Sequence, residues 1–285
     1  MGCGRAAIVA AHPDDETLGA GGILPRLREP IFIHVTDGAP RDMRDAAANG
    51  FGSREEYGQA RRREFLEAMR AGGVRPAETV SLGYADQEAS LHMAELTRDL
   101  LRLLRHTRPR LVLVHPYEGG HPDHDAAAFA VHAAWGLLPP ALRPRIVEYT
   151  SYHNCGGAIE TGTFLPAPVP EIRMPLGGAA RERKERMLAC FKTQQPVLQY
   201  FGTGGERFRA APAYDFTAPP HSGRLFYEQF SWGMKEGEWT AQAEAARRAL
   251  GWPYLRLAPG PAAPEEHSLV RGGAAAMRHG VSGRC

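Results

Sequence analysis

Residues 5–16 read RAAIVAAHPDDE. The first seven form a small apolar run of strand length that stops at His12. Pro13 and three acidic residues, Asp14, Asp15 and Glu16, follow at once. An apolar strand that ends in a polar turn and passes into a helical pattern opens a β-α unit. The same design returns at residues 110–125, RLVLVHPYEGGHPDHD. There a near-continuous apolar run, the mark of a strand buried on both faces, is followed by a second cluster of His and Asp.

The intervening sequence fits the same scheme. Residues 31–36 (IFIHVT) and 78–82 (ETVSL) read as strands. Residues 16–28 read as a helix weakened by Gly21, Gly22 and Pro25. Residues 38–52 are polar and glycine-containing, a loop or lid. A helix over 53–71 is predicted from the Ser53–Glu56 capping-box spacing and the terminating Gly72 and Gly73. Residues 93–106 place Leu96, Leu100, Leu103 and Leu104 on one helical face, and 124–136 are Ala-rich and helical. Strands alternating with helices predict an α/β, Rossmann-like fold, with a mostly parallel sheet covered by helices on both faces. Ligands of such sheets sit beyond the carboxyl ends of the strands, where both His/Asp clusters fall.

The second half is less regular. A strand is expected at 145–152 and helices at 180–192 and 238–250, separated by stretches rich in Gly, Pro and aromatics. The expected organisation is a catalytic core over 1–150 with the metal site. An irregular α+β portion over 151–257 completes the fold and covers the substrate site, and a loose tail spans 258–285. The aromatic-rich stretch 200–239 reads as core and lid, and could line a pocket.

Composition sets the outer bounds. The 285 residues are 43% hydrophobic and 23% charged, which suits a globular chain and excludes a disordered, collagenous or coiled-coil protein. The 34 basic and 32 acidic residues leave a formal charge of +2. That is too even for a chain built to grip nucleic acid, so no nucleic-acid partner is expected. No apolar run approaches the ~18 residues of a membrane span. With no export signal in view, the expected location is cytoplasmic. Four scattered cysteines, Cys3, Cys155, Cys190 and Cys285, contain no CxxC and read as free thiols. Oligomeric state is open, a homo-oligomer included.

Imidazole and carboxylate are zinc ligands, and a catalytic zinc site commonly keeps three protein ligands and one open position. His12 and Asp15 stand three apart across a strand-to-helix turn and can converge on one ion. His121 and His124 repeat that spacing. Together the clusters hold more polar groups than one ion needs. The surplus, Asp14, Asp123 and one histidine, could act as acid and base. A single HPDD could simply be a helix start, with Asp meeting free N–H groups. Two such clusters at matching positions argue for chemistry.

AHPDDE near the start, a strand ending in Thr36-Asp37-Gly38, and the later GHPDHD resemble the PIG-L (LmbE-like) family of zinc-dependent N-deacetylases. Arg61 and Glu64 resemble that family's R-x-x-E helix before a glycine turn, and 184–195 resembles its later basic helix. The likeness covers roughly residues 5–200. It implies a metal-dependent hydrolase that removes an N-acetyl group from an N-acetylglucosamine-type amino sugar or its glycoside. His12, Asp15 and His124 would hold the metal, Zn2+ first, with Fe2+, Co2+ or Ni2+ as other occupants of a His₂Asp set. Asp14 would be the general base, His121 the general acid, and Asp123 would orient a catalytic histidine. Arg61 would sit near the substrate. From their location alone, Asp37 and the loop 38–52 are expected to help position it. Some relatives carry a Tyr two residues before the first His of HPDH. Here that position is Gly119, and the nearest tyrosine is Tyr117. Two other readings stand beside the deacetylase: a thiol S-conjugate amidase of the same family, and a non-catalytic metal- or sugar-binding protein.

Overall fold

The computed structural model describes residues 5–252. The expected loose tail 258–285 lies outside the described residues. In chain order the strands and α-helices are β1 (Ala6–Ala10), α1 (Asp15–Ala20), β2 (Ile31–Pro40), α2 (Arg44–Ala48), α3 (Arg54–Gly72), β3 (Glu78–Asp86), α4 (Met93–Thr107) and β4 (Leu111–Val114). They continue with α5 (Pro122–Leu137), β5 (Arg145–Tyr149), β6 (Tyr152–Cys155), β7 (Ala158–Thr161), β8 (Glu171–Pro175), α6 (Gly178–Leu188), α7 (Gln195–Leu198), β9 (Gly205–Ala210) and α8 (Glu236–Leu250).

Seven strands form one sheet in the order β3-β2-β1-β4-β5-β9-β8. The first five are parallel; β9 and β8 add antiparallel at the far side. The fold is therefore the expected α/β type, with a mostly parallel sheet. Side chains alternate across it as strand pleating requires. Ala7, Val9, Ile31, Ile33, Val112 and Val114 meet α4, α5 and α8 on one face. Ile8, Phe32 and Leu113 meet the α3 residues Phe65 and Met69 and the α6 residue Met187 on the other. Each large side chain so buried contributes about 1.5–3 kcal/mol. The α5 residues from Pro122 to Ala134 are all buried. A helix enclosed on every side favours small residues where neighbours press closest, hence its many alanines.

The strand order reverses direction at β1/β4. β2 lies on one side of β1, and β4 on the other. That is the switch point where a crevice opens beyond the carboxyl ends, and both His/Asp clusters emerge there.

Several boundaries differ from the sequence reading. The helix expected over 16–28 ends at Ala20, and a 3-10 turn follows at Leu24–Arg26. Gly22 closes against Leu176, and its N–H donates to Glu206 Oε1 at 2.6 Å, so the chain leaves the helix to meet β9. Ser53 caps α3 by accepting from the Glu56 N–H at 3.2 Å, but Glu56 returns its carboxylate to the N–H of Gly52 (3.1 Å) rather than Ser53. β2 runs to Pro40 and β3 to Asp86, because the two keep pairing past a bulge as far as Pro40 opposite Asp86. The first residues of the expected loop 38–52 are thus strand. Cys190 is a free thiol, but Cys155 is disulfide-bonded, which corrects the free-thiol reading for that residue. Spacing along the chain could not reveal a pairing that depends on the fold. Among the described residues no helix is long and apolar enough to cross a membrane.

The second half is locked to the first by buried ions. Lys184 of α6 donates to Glu206 of β9 (2.8 Å) and to the carbonyl of Leu18 in α1 (2.7 Å). Arg209 of β9 donates to Glu148 of β5 (2.7 Å) and to Glu118 (3.2 Å) in the loop leading to His121.

Candidate metal and catalytic site

The turn after β1 is held in an unusual shape. Asp14 has φ 148°, a positive value that a residue with a Cβ rarely adopts. Such a conformation costs on the order of 1–3 kcal/mol and persists only when neighbours enforce it. Here Glu16 Oε2 accepts the Asp14 N–H (3.2 Å) and is itself within 3.1 Å of His34 Nε2. From α3, Arg61 reaches Asp14 Oδ2 (3.1 Å), the Pro13 carbonyl (3.2 Å) and the Gly38 carbonyl (2.8 Å). Gly38 sits at φ 67°, and a Cβ there would strike the Arg61 guanidinium at 2.8 Å. The guanidinium therefore clamps the carbonyl beside β2 to the base of the His/Asp turn.

Asp15 turns back over its own loop. Its Oδ2 accepts the His12 N–H at 2.8 Å and lies 3.2 Å from His12 Nδ1. Oδ1 lies 3.3 Å from His124 Nε2, so one carboxylate joins the two motifs. His12 Nε2 faces Asp86 Oδ1 at 3.0 Å and Asp123 Oδ2 at 3.4 Å. In the second motif His121 caps α5, its Nδ1 accepting the Asp123 N–H at 3.2 Å. With Nδ1 so used, Nε2 is the atom left to carry a proton, 3.7 Å from Asp86 Oδ1. Asp123 accepts two backbone N–H groups, from Gln87 (2.6 Å) and Ala89 (3.0 Å), which fixes its carboxylate beside His12. His124 Nδ1 is 3.1 Å from Ser151 Oγ, leaving Nε2 for Asp15.

Seven of the eight residues singled out from sequence thus gather in one place: His12, Asp14, Asp15, Arg61, His121, Asp123 and His124 are each at most 7% exposed. Asp37 is turned elsewhere. Its carboxylate accepts from Arg54 (2.6 Å) and the Ala39 N–H (3.0 Å). Tyr117 is buried under α8, its hydroxyl donating to the Ala218 carbonyl and its ring stacked on Trp239.

Four participants escaped the sequence reading. Asp86 ends β3, where the rule of carboxyl ends applies as it does to β1 and β4, but Gly83 made the strand look four residues shorter. His115 follows β4 directly. Its Nε2 accepts the Ala11 N–H (3.1 Å) and its ring stacks on His124 at 3.9 Å. Tyr152 begins β6 and packs edge-on against His124 at 5.2 Å. Its backbone fits only because Gly120 has no Cβ, which would lie 2.0 Å from the Tyr152 carbonyl oxygen. Trp232 leans on His121 at 4.6 Å. No local signal marks the last two.

Burial dominates the electrostatics. It pushes Asp14 up to about 8, with the Arg61 guanidinium pulling the other way. For Asp15, burial is overcome by His124 and His115, and the carboxyl falls well below its usual range. Burial would lower His12, but Asp86 and hydrogen bonds to Asp123 and Asp15 raise it well above the ordinary value. Asp86 is lowered, His12 outweighing its burial. His124 falls to about 4 through burial and the neighbouring His115, and His121 falls through burial and His12.

Four carboxyl groups, Asp14 and Asp123 pushed up by burial, gather round a single permanent cation, Arg61. Their proximity is what raises His12. Buried Asp86 Oδ1 meets only the rings of His12 (3.0 Å) and His121 (3.7 Å). Donor atoms within 4.8 Å of one another form three overlapping groups: His12/His121/His124, His12/Asp86/His121/Asp123 and Asp15/His115/His124. Nitrogen and carboxylate donors in this number fit a divalent metal ion.

The family model described as "PIG-L: GlcNAc-PI de-N-acetylase" matches residues 7–135. The chain is 29% identical over 143 residues to the probable N-acetyl-alpha-D-glucosaminyl L-malate deacetylase 2 of Bacillus cereus, covering 49% of this chain and 64% of that one. It is 29% identical over 164 residues to the 1D-myo-inositol 2-acetamido-2-deoxy-alpha-D-glucopyranoside deacetylase 2 of Saccharopolyspora erythraea, covering 50% and 60%. Both matches span less than two thirds of the relative. A deacetylase of teicoplanin biosynthesis, solved in complex with bog, superposes with a TM-score of 0.57 at 16% identity, covering 72% of this chain and 96% of that one. At that identity the likeness is one of fold. Both motifs lie inside the matched segment and its turns meet at one sheet edge, so residues 7–135 form a PIG-L (LmbE-like) family segment.

Proposed function

We propose that the chain is a metal-dependent hydrolase, zinc first among the metals, that removes the N-acetyl group from an N-acetylglucosamine-type amino sugar or its glycoside. The observation that carries this reading is the meeting of both motifs through the Asp15 carboxylate, which spans His12 and His124. The named activities of the relatives support the substrate class.

In this reading His12, Asp15 and His124 hold the metal. When bound, the ion supplies a Lewis acid that makes water acidic near neutral pH and polarises the amide carbonyl. Asp14 takes the water's proton. Its carboxylate is fixed by Arg61 and by the strained turn. A cation in the cluster favours its ionised form, against the upward push of burial. His121 presents Nε2 to the leaving amine; as the imidazolium, with Nδ1 protonated in place of accepting the Asp123 N–H, it gives up the Nε2 proton as the C–N bond breaks and returns to the neutral ring, for an unprotonated amine leaves poorly. Asp123 keeps His12 and the α5 terminus in register through Gln87 and Ala89. Tyr152, whose ring lies against His124, offers its hydroxyl to the carbonyl oxygen as charge builds there. Arg61 acts through Asp14, and Asp37 shapes the loop beyond β2. The near absence of solvent strengthens each of these charge interactions.

The test is amine release from a panel of N-acetylated amino sugars, free and glycosidic, before chelation, after it, and after metal is restored. Release that disappears with chelator and returns with one metal supports the reading and identifies the ion. Release indifferent to chelator, or none from a metal-loaded protein, overturns it.

A further inference from the structure

The segment 224–232 is anchored firmly and then projects aromatics into the site. The Phe226 N–H donates to the Gly119 carbonyl (2.9 Å), and Asn154 of β6 donates to the Arg224 carbonyl (2.5 Å). Leu225 is buried against Gly119, and Glu228 accepts the N–H groups of Leu225 (2.9 Å) and Glu236 (3.2 Å). From this base three rings make a ladder. Phe226 meets Phe230 at 5.2 Å. Phe230 lies flat on Trp232 at 4.4 Å and 15°, and Trp232 leans on His121 at 4.6 Å.

Trp232 is half-buried between its two neighbours, but Phe230 is 44% exposed. A large aromatic held rigidly beside a catalytic cluster, with open surface, calls for an occupant. The position of that surface matters. Trp232 fills the space next to His121, where a sugar presenting its acetamido group would lie. Phe230 is one ring farther out, where whatever the sugar carries would lie. The neighbouring guanidiniums are engaged: Arg44 donates to Ser231 Oγ (3.0 Å) and Arg224 to the Glu228 carbonyl.

We infer that Phe230, backed by Trp232, is a specificity-determining platform for a flat, apolar group on the substrate, so that the preferred substrates are glycosides of N-acetylglucosamine with an aryl aglycone. This inference rests on the deacetylase reading. Burying one aromatic face is expected to change affinity by about tenfold, the equivalent of ~1.4 kcal/mol.

The experiment compares kcat/KM for amine release from 4-nitrophenyl and methyl N-acetylglucosaminides, in both anomers, for the metal-loaded wild type and Phe230→Ala. Phe230 is exposed, so the variant should fold; its thermal midpoint is checked against wild type. The expected result is an aryl advantage of about tenfold in wild type, carried by KM, that falls below about threefold in F230A. Equal handling of aryl and methyl glycosides by wild type overturns the inference, as does an aryl advantage that survives F230A; in both cases the deacetylase reading stands. Turnover of neither overturns the deacetylase reading, and binding then decides the platform. Quenching of tryptophan fluorescence by the aryl glycoside, weakened in F230A, supports it; binding alike in both proteins sinks it.

Discussion

The chain buries two groups of charged side chains, and they are built differently. Around Arg209 the account nearly closes within the protein: one cation faces two carboxylates, and three of their four oxygens are hydrogen-bonded, Glu118 Oε2 having only His153 Nδ1 nearby at 3.5 Å. Its guanidinium meets Glu148 and Glu118, the Tyr214 hydroxyl donates to Glu148 at 2.7 Å, and the Leu165 N–H donates to Glu118 at 2.7 Å. Burial pushes Glu148 up to about 8, Arg209 opposing, so the second negative charge need not be fully present. Around His12 the account stays open. Four carboxyl groups, Asp14, Asp15, Asp86 and Asp123, crowd with the histidines around Arg61, and His12 is driven toward positive charge. A closed ionic cluster is a fastener. An open one, at the switch point of a parallel sheet, marks a place for an ion and a substrate.

That contrast breaks first at Asp14. Asp14→Asn keeps the size of the side chain and removes the proposed base, so turnover should fall by roughly 10²–10⁴. Metal content by elemental analysis should stay near that of wild type. Loss of metal along with activity would make Asp14 a ligand and move the open cluster's centre toward it.

The opposite signature is expected at Arg209. Arg209→Met leaves two carboxylates without their cation, and uncompensated buried charge costs about 3–5 kcal/mol. Urea denaturation should show that loss, while the folded fraction keeps its rate per molecule within about threefold. A D14N-like collapse of turnover at unchanged stability would mean that the Arg209 cluster is no mere fastener. Smaller again is Tyr152→Phe, which removes one hydroxyl and little packing. Loss of an oxyanion donor lowers kcat by about 10². An unchanged kcat with raised KM would make Tyr152 a substrate contact only.

What was legible in the sequence follows from the same physics. β1 and β4 are buried on both faces, so their apolar runs stand out, and the polar residues just past them can only lie at the sheet's edge. That placed His12, Asp14, Asp15, His121, Asp123 and His124 together before any coordinates. Asp86 was hidden because β3 is an edge strand with an exposed face and a glycine at position 83, so its hydrophobic pattern fades before its hydrogen bonding does. His115 looked like the tail of a strand. Tyr152 and Trp232 enter from the β6–β7 hairpin and an irregular segment, where side-chain direction depends on anchors such as Asn154 and Gly119 that no periodicity records.

The smallest effect concerns a titratable group in neither cluster. His132 lies within α5 against Tyr214 and Phe216, and its buried Nε2 has no hydrogen-bond partner. Burial alone lowers its pKa from 6.5 to about 4, so the fold holds the neutral ring. The sign follows from proton binding. Below pH ~6.5 the unfolded chain takes up a proton that the folded chain refuses until pH ~4, so His132 weakens the fold as pH falls through that window and has no further effect below it. Between pH 7 and 5 the loss amounts to about 2 kcal/mol. His132→Phe should remove that share of the acid sensitivity, and the difference between variant and wild type in urea midpoints should change over this range and level off near pH 4. The clusters around His12 and Arg209 also respond to acid, but they are the same in both proteins and cancel in the difference. A difference that does not vary between pH 7 and 4 would mean that His132 titrates alike in the folded and unfolded chains, and that the apolar side of α5 is wetter than its burial implies.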